Sequence, residues 1–240
     1  MSSPIPPIPA AQLQELMDGL PDTVFFIKDR DGRYTHANQT LLRRLGRARR
    51  EAVIGRTAAE LFPARLGESY LAQDRRVLAG ATISNQLELH LFANRASGWC
   101  LTHKMPLRQG HAIVGLIGIS RDLQQPDGRH PGYARLRRVL DHMERHYGER
   151  VRMQTLAELA GLSLSQLERQ FQRVFHLSPQ QWLMRLRIEA ATQLLRGGGS
   201  IAAIGQACGF SDQSAFSRQF KAAVGTTPRD YRSLVGGDWA

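Results

Sequence analysis

Hydrophobic residues change their spacing partway along this 240-residue chain. In the first half they alternate with polar ones. Gln86-Leu87-Glu88-Leu89-His90-Leu91 has leucine at every second position, the period of a strand with one buried face. Similar runs predict strands over residues 24–28, 99–105 and 112–119, and helices over 41–45 and 70–78. Asp29-Arg30-Asp31-Gly32 supplies a turn between the first two strands, because glycine tolerates positive φ. This half is therefore an α+β domain with an antiparallel sheet.

Beyond residue 132 every segment reads as helix, beginning with 133–147, where Leu136, Leu140 and Met143 recur at spacings of four and three. Between the halves, residues 124–132 show no periodicity and hold two prolines, the signature of a linker. The organisation expected is a disordered Pro-rich tail at 1–12, an α+β domain at 13–123, the linker at 124–132, and an all-α domain at 133–234.

The all-α half repeats itself. Leu156, Gly161 and Ser163 match Ile204, Gly209 and Ser211 at an offset of 48. After one inserted residue the offset becomes 49, and Leu167, Arg169, Gln170, Phe171, Pro179 and Trp182 meet Phe216, Arg218, Gln219, Phe220, Pro228 and Tyr231. Each copy reads as a short helix, a glycine turn and a second helix, the helix-turn-helix plan. Ser163 with Gln166 forms a capping box, while in the second copy either Ser211 or Asp212 can be the cap. At about 100° per residue, Leu167, Phe171 and Val174 form an apolar root in the first unit. Ser165, Arg169, Gln172 and Arg173 fall opposite. In the second unit Phe216, Phe220 and Ala223 form the root, leaving Ser214, Arg218 and Lys221 outward. Helices with such faces fit a DNA major groove, where Arg reads guanine and Ser or Gln reaches other base edges. The candidate reading set is Ser165, Gln166, Glu168, Arg169, Gln172 and Arg173 in the first unit, and Gln213, Ser214, Ser217, Arg218 and Lys221 in the second.

These residues resemble the AraC/XylS transcription regulators over about 133–233, most specifically in Ala207-Cys208-Gly209-Phe210-Ser211-Asp212, Phe216-Ser217-Arg218-Gln219-Phe220-Lys221 and Thr227-Pro228-Arg229-Asp230-Tyr231-Arg232. The resemblance implies two helix-turn-helix units joined by a long helix over 179–195, ended by Gly197-Gly198-Gly199, with Ser200 capping the next. The first half is similar to PAS sensory domains in Leu20-Pro21-Asp22, Lys28-Asp29-Arg30-Asp31-Gly32, Ala37-Asn38, Ile54-Gly55, Arg76-Val77-Leu78-Ala79-Gly80 and Gly115-Leu116-Ile117-Gly118-Ile119-Ser120-Arg121-Asp122. That implies a five-stranded antiparallel sheet with helices over one face and room between them for a small ligand. The function expected is a sequence-specific regulator of transcription that binds double-stranded DNA, controlled by a signal sensed in the PAS-like half. RNA polymerase, a small-molecule effector of unknown identity and a second copy of the chain joined through the PAS-like half are further candidate partners. A nonspecific architectural DNA-binding protein is the alternative.

Charge supports a polyanionic partner, with 32 Lys and Arg against 21 Asp and Glu for a net +11. The helical half holds 16 basic and 9 acidic residues from 128 onward, a net +7, against 16 and 12, or +4, before it. No apolar run approaches the roughly 18 residues of a spanning helix, and the Pro-rich start does not read as a signal peptide, so a cytoplasmic protein without membrane partner is expected. Two cysteines are too few for a disulfide framework or a thiolate zinc site, and both read as reduced thiols, Cys208 buried and Cys100 on a strand. His36, His90, His103 and His111 read as ordinary strand or loop residues, and Arg43, Arg44, Arg47, Arg49 and Arg50 as a solvated helix and loop. No phosphate loop, metal-ligand cluster or paired nucleophile and base is recognisable, so neither an enzyme nor a cofactor is expected.

Overall fold

A computed structural model describes residues 8–91, 97–123 and 131–236. The chain divides into two compact units, Met1–Asp122 and Leu123–Ala240.

The first unit is built on a five-stranded antiparallel sheet of order β2-β1-β5-β4-β3. Strand β1, Thr23–Asp29, lies between β2 and β5 and is rich in β-branched and aromatic residues, and it is buried on both faces. It turns at Asp29–Gly32, where Gly32 has φ +74° and the Asp29 carboxylate accepts from the backbone of Asp31 at 3.0 Å and Arg33 at 2.9 Å. Strand β2, Tyr34–Ala37, follows as the turn implied, though at four residues it is too short to show a period. Asn38 then starts helix α2, Gln39–Arg44. Its buried amide accepts from the backbone of Phe25 and Leu41 and donates to the carbonyls of Met17 and Thr23, so one side chain ties β1, α2 and the N-terminal helix together.

That N-terminal helix, α1 at Ala10–Asp18, corrects the expectation of a tail through residue 12. Its anchors lie far along the chain: the Ala37 amide donates to Gln14, and Asp18 pairs with Arg50. Residues 1–7 of the expected tail lie outside the described residues. Two helices follow a 3-10 turn at Arg50–Ala52: α3, Ala58–Leu61, and α4, Ala64–Leu78. They lead into β3, Ile83–Leu91, β4, Ser97–Gln109, and β5, Ala112–Asp122.

The half-buried reading of β3 needs correction. Glu88 is buried as deeply as Leu89, because it accepts from Gln73, Gln86 and Thr102. The arginine run is not simply solvated either. Arg44 pairs with Asp122 with only 8% of its side chain exposed, and Arg50 adds a bond to the Ala37 carbonyl.

The second unit is all-α: α5 Pro131–His146, α6 Met153–Ala160, α7 Leu164–Phe175, α8 Pro179–Gly197, α9 Ile201–Ala207, α10 Gln213–Val224 and α11 Pro228–Gly236. Helix α5 begins inside the stretch expected as linker. Proline suits a first helical position, where its missing N–H costs nothing. The remainder of the expected linker, 124–130, lies outside the described residues.

Candidate nucleic-acid interface

The repeat in sequence is a repeat in structure. Helices α6, α7 and α8 correspond to α9, α10 and α11, and the turns between the paired short helices place Gly161 at φ +63° and Gly209 at φ +79°. The left-handed ends of α7 and α10 also correspond, at His176 and Gly225.

Helix α7 starts with the expected capping box: the Ser163 hydroxyl accepts from the Gln166 amide at 3.3 Å and the Gln166 side chain accepts from Ser163 at 2.9 Å. This commits the Gln166 amide oxygen to the helix and leaves its NH₂ group outward. In the second unit Asp212 is the cap, bonding the Ala215 amide at 2.7 Å, while Ser211 donates to its other oxygen at 3.0 Å. The Ala215 and Ser211 donors hold the Asp212 carboxyl below the usual carboxylate range. The inserted residue therefore moves the cap one place on from the turn glycine.

The roots are buried largely as patterned. Leu167 and Phe171 are buried, but Val174 is only half-buried and Phe175 completes the root in its place, with Phe175 and Trp182 ring centres 4.7 Å apart. In the second unit Phe216, Phe220 and Ala223 are buried, and Phe220 meets Tyr231, the counterpart of Trp182, at 5.4 Å. Opposite them Ser165, Gln166, Glu168, Arg169, Gln172 and Arg173 are exposed, as are Gln213, Ser214, Arg218 and Lys221, with Ser217 half-buried. Gln172 also reaches back to the His176 carbonyl at the end of its helix, at 3.4 Å. Arg169 and Arg218 occupy equivalent positions, both free to extend outward.

A seam between the two units escaped the sequence reading. Backbone meets backbone there. A Cβ on Gly148 would stand 2.6 Å from the Ala207 carbonyl oxygen, and one on Gly209 2.5 Å from that of Tyr147. Arg187, on the joining helix α8, clasps the seam by donating to the carbonyls of Tyr147 and Glu149, each at 2.8 Å, beneath the Phe210 ring. Nothing in the spacing marks Arg187; the adjacent glycines at 148 and 209 were the available signal. Cys208 lies beside it, buried, and burial pushes its thiol up to about 11, which removes it from thiolate chemistry. Cys100 is also buried and free, on β4 as expected.

The PAS-like half holds the space for a small ligand that the resemblance implied, lined by residues the sequence reading did not name. Between the sheet and its helices lies a cavity of about 30 Å³. Lys28 and Lys104 reach it from β1 and β4, and both bond to Asp74 of α4, Lys104 at 2.8 Å. All three are buried, Lys28 to 1% exposure. Burial lowers the Lys28 pKa against the pull of Asp74; burial alone would raise that of Asp74, but Lys104 and Lys28 together hold it below the usual range. No group of three or more His, Cys, Asp or Glu suited to a metal occurs among the described residues.

Residues 156–233 match a helix-turn-helix domain family, and residues 17–128 a PAS fold family. The HTH-type transcriptional activator RhaS of Enterobacter sp. (strain 638) is 36% identical over 121 residues, which are 50% of this chain and 44% of that protein. RhaS of Escherichia coli (strain SE11) is 39% identical over 100 residues, 41% of this chain and 36% of that one. This chain thus spans less than half the length of either relative. A transcriptional regulator with an AraC-type DNA-binding domain from Chromobacterium violaceum, solved as a crystal structure, is 32% identical and covers 44% of this chain and 95% of its own, with a TM-score of 0.41. By the match over 156–233 and the packing of both repeat units, the chain joins a helix-turn-helix domain, similar to that of the RhaS activators, to a PAS fold that precedes it.

Proposed function

We propose that this chain is a sequence-specific, DNA-binding regulator of transcription, without catalytic activity and acting in the cytoplasm, whose grip on its operator is set by a signal received in the PAS fold. The observation that carries the reading is the pairing of Arg169 and Arg218. They stand at equivalent places on two exposed helix faces, each backed by a buried phenylalanine root. No helix among the described residues is long and apolar enough to cross a membrane.

Helices α7 and α10 enter successive major-groove segments on one side of the duplex. The joining helix α8 has 19 residues and so spans about 28 Å at 1.5 Å per residue, of the order of the 34 Å helical turn. Arg169 and Arg218 read guanine, the serines and glutamines beside them reach other base edges, and Glu168 accepts from cytosine. Contact with RNA polymerase would accompany activation, the role named for RhaS. Self-association runs through the PAS half.

Binding of Arg169→Ala and Arg218→Ala to a panel of singly substituted operators tests the assignment. Each variant should lose about 1 to 3 kcal/mol and relax specificity at its own base pair. Uniform weakening across the panel would make the arginines phosphate contacts. An architectural protein would instead bind random duplex within a small factor of operator, where a regulator shows a ratio of about 10³ or more.

A further inference from the structure

The cavity in the PAS fold is lined by hydrogen-bond donors to an unusual degree. Its charged lining residues are Lys28, Lys104 and Arg44, and no carboxylate or amide side chain joins them there. Tyr34 and Tyr70 add hydroxyls, which burial keeps protonated by raising their pKa well above the usual range. The remaining wall includes Phe26 of the sheet and Phe62 beside α3.

The cations stand in the lining, while the carboxylates that meet them lie behind it. Asp74 gives one oxygen to Lys28 and the other to Lys104, so a single carboxylate serves two buried ammonium groups. Lys104 has one further acceptor, Gln73 at 3.0 Å, and Lys28 has none besides Asp74 among the described residues. Glu88, the next buried acid, accepts from Gln73, Gln86 and Thr102, and Gln73 in turn accepts from Lys104. An ammonium group has three hydrogens to place, and a buried one left short of acceptors is costly. The Tyr34 ring, 4.1 Å from the Lys28 nitrogen, offsets part of this through its π face.

We infer that the cavity takes a small organic acid, a single carboxylate on a flat apolar body, with the carboxylate between Lys28 and Lys104 and the body against Phe26 and Phe62. This rests on reading the PAS fold as the part that receives the signal. A cavity of about 30 Å³ holds two or so water molecules, at about 10–15 Å³ each on this measure. The acid therefore enters only as the walls part. The walls that can part are the helical ones, because the sheet is held by its ladder. Leu41 and Arg44 of α2, with Phe62 and Tyr70, must move away from β1 and β4, so occupancy is coupled to a displacement of helix against sheet.

The test uses the full chain and three probes of one shape, benzoate, benzamide and benzylamine, compared by calorimetry and thermal unfolding. Benzoate should bind about tenfold or more tighter than benzamide, and benzylamine should not bind. Lys28→Met leaves Asp74 and Lys104 as a balanced pair, so it should fold and lose the preference for the acid. Equal binding of benzoate and benzamide, absence of benzoate binding, or a preference that survives in Lys28→Met would overturn the ligand class. Operator and random duplex are titrated with the same samples. Failure to discriminate them sinks the regulator reading, whereas discrimination without acid binding sinks the ligand class alone.

Discussion

Arg187→Met should loosen the two helix-turn-helix units from each other without unfolding either. Methionine keeps an apolar stem and removes the guanidinium together with its place over the Phe210 ring, so the carbonyls of Tyr147 and Glu149 lose their donor. A hydrogen bond from a charged donor contributes about 1.5 to 3 kcal/mol. Arg187 is about half-buried, and solvent takes up part of the loss, so the lower figure applies to each of the two bonds, about 2 to 3 kcal/mol in all. Urea unfolding of the helical half reads that figure. The functional consequence concerns spacing, because the seam at Gly148 and Gly209 fixes where one reading helix lies relative to the other. Wild-type protein should lose most of its affinity when one base pair is inserted between the half-sites, and Arg187→Met should lose much less. Arg187→Lys, which cannot span both carbonyls, should fall between. If Arg187→Met stays within about 0.5 kcal/mol of wild type, or discriminates spacing as sharply, the clasp does not hold the units in register.

Phe171→Ala empties a fully buried site and should cost about 3 to 5 kcal/mol, seen as loss of helical circular dichroism on mild heating; a cost under 1 kcal/mol would mean the root is not packed as described. Ser163→Ala removes the first cap of α7 and should cost about 1 kcal/mol while leaving base preference unchanged, which urea melts and the operator panel check together. The PAS half should weaken in acid: the Asp74 carboxyl lies below its ordinary value near 3.8, so its contribution is complete above that pH and is lost as pH falls through the lower native value. Asp74→Asn should remove that acid component and destabilise strongly at neutral pH, by about 3 to 5 kcal/mol, and an unchanged acid unfolding profile in this variant would show that the triad is not what titrates. Binding to operator should weaken steeply with salt, since the helical half carries a net +7, and a flat plot of log affinity against log salt would contradict phosphate contact.

The helical half was legible because each local signal has one physical meaning and they agree. Ser163, Ser178 and Ser200 all cap the helices that follow them, and the glycines at 161 and 209 take the left-handed turns. Coordinates were needed for the choice between Ser211 and Asp212, for the cap at Ser178 and for the seam that Arg187 clasps. The exposed reading faces followed from period alone, apart from Gln166, whose side chain is shared with the cap. The PAS half was less legible because its strands invert the usual rule. On β4 Cys100, Thr102 and Lys104 are buried, as are Trp99 and Leu101 of the opposite parity, whereas Met105 and Leu107 remain 47% and 37% exposed. Period two identifies a strand but not which face is buried, and a polar interior reverses the guess. Lys28 was read as the end of an apolar run, yet it is the point of that strand. Its partner Asp74 lies 46 residues on, with no spacing to connect them.

Asp122 closes the last strand of the sheet and is also the last residue of the first compact unit. Its side chain is held by Arg44, which lines the cavity, and its amide by the Asp22 carbonyl. The chain leaves the PAS fold at a residue moored to the helix that must shift when the cavity fills. A guest that displaced α2 would therefore have a mechanical line to the exit, because Asp122 would give up its anchor or move with the helix. Sensors in general need some such point where occupancy becomes tension on a tether, and here one ion pair supplies it.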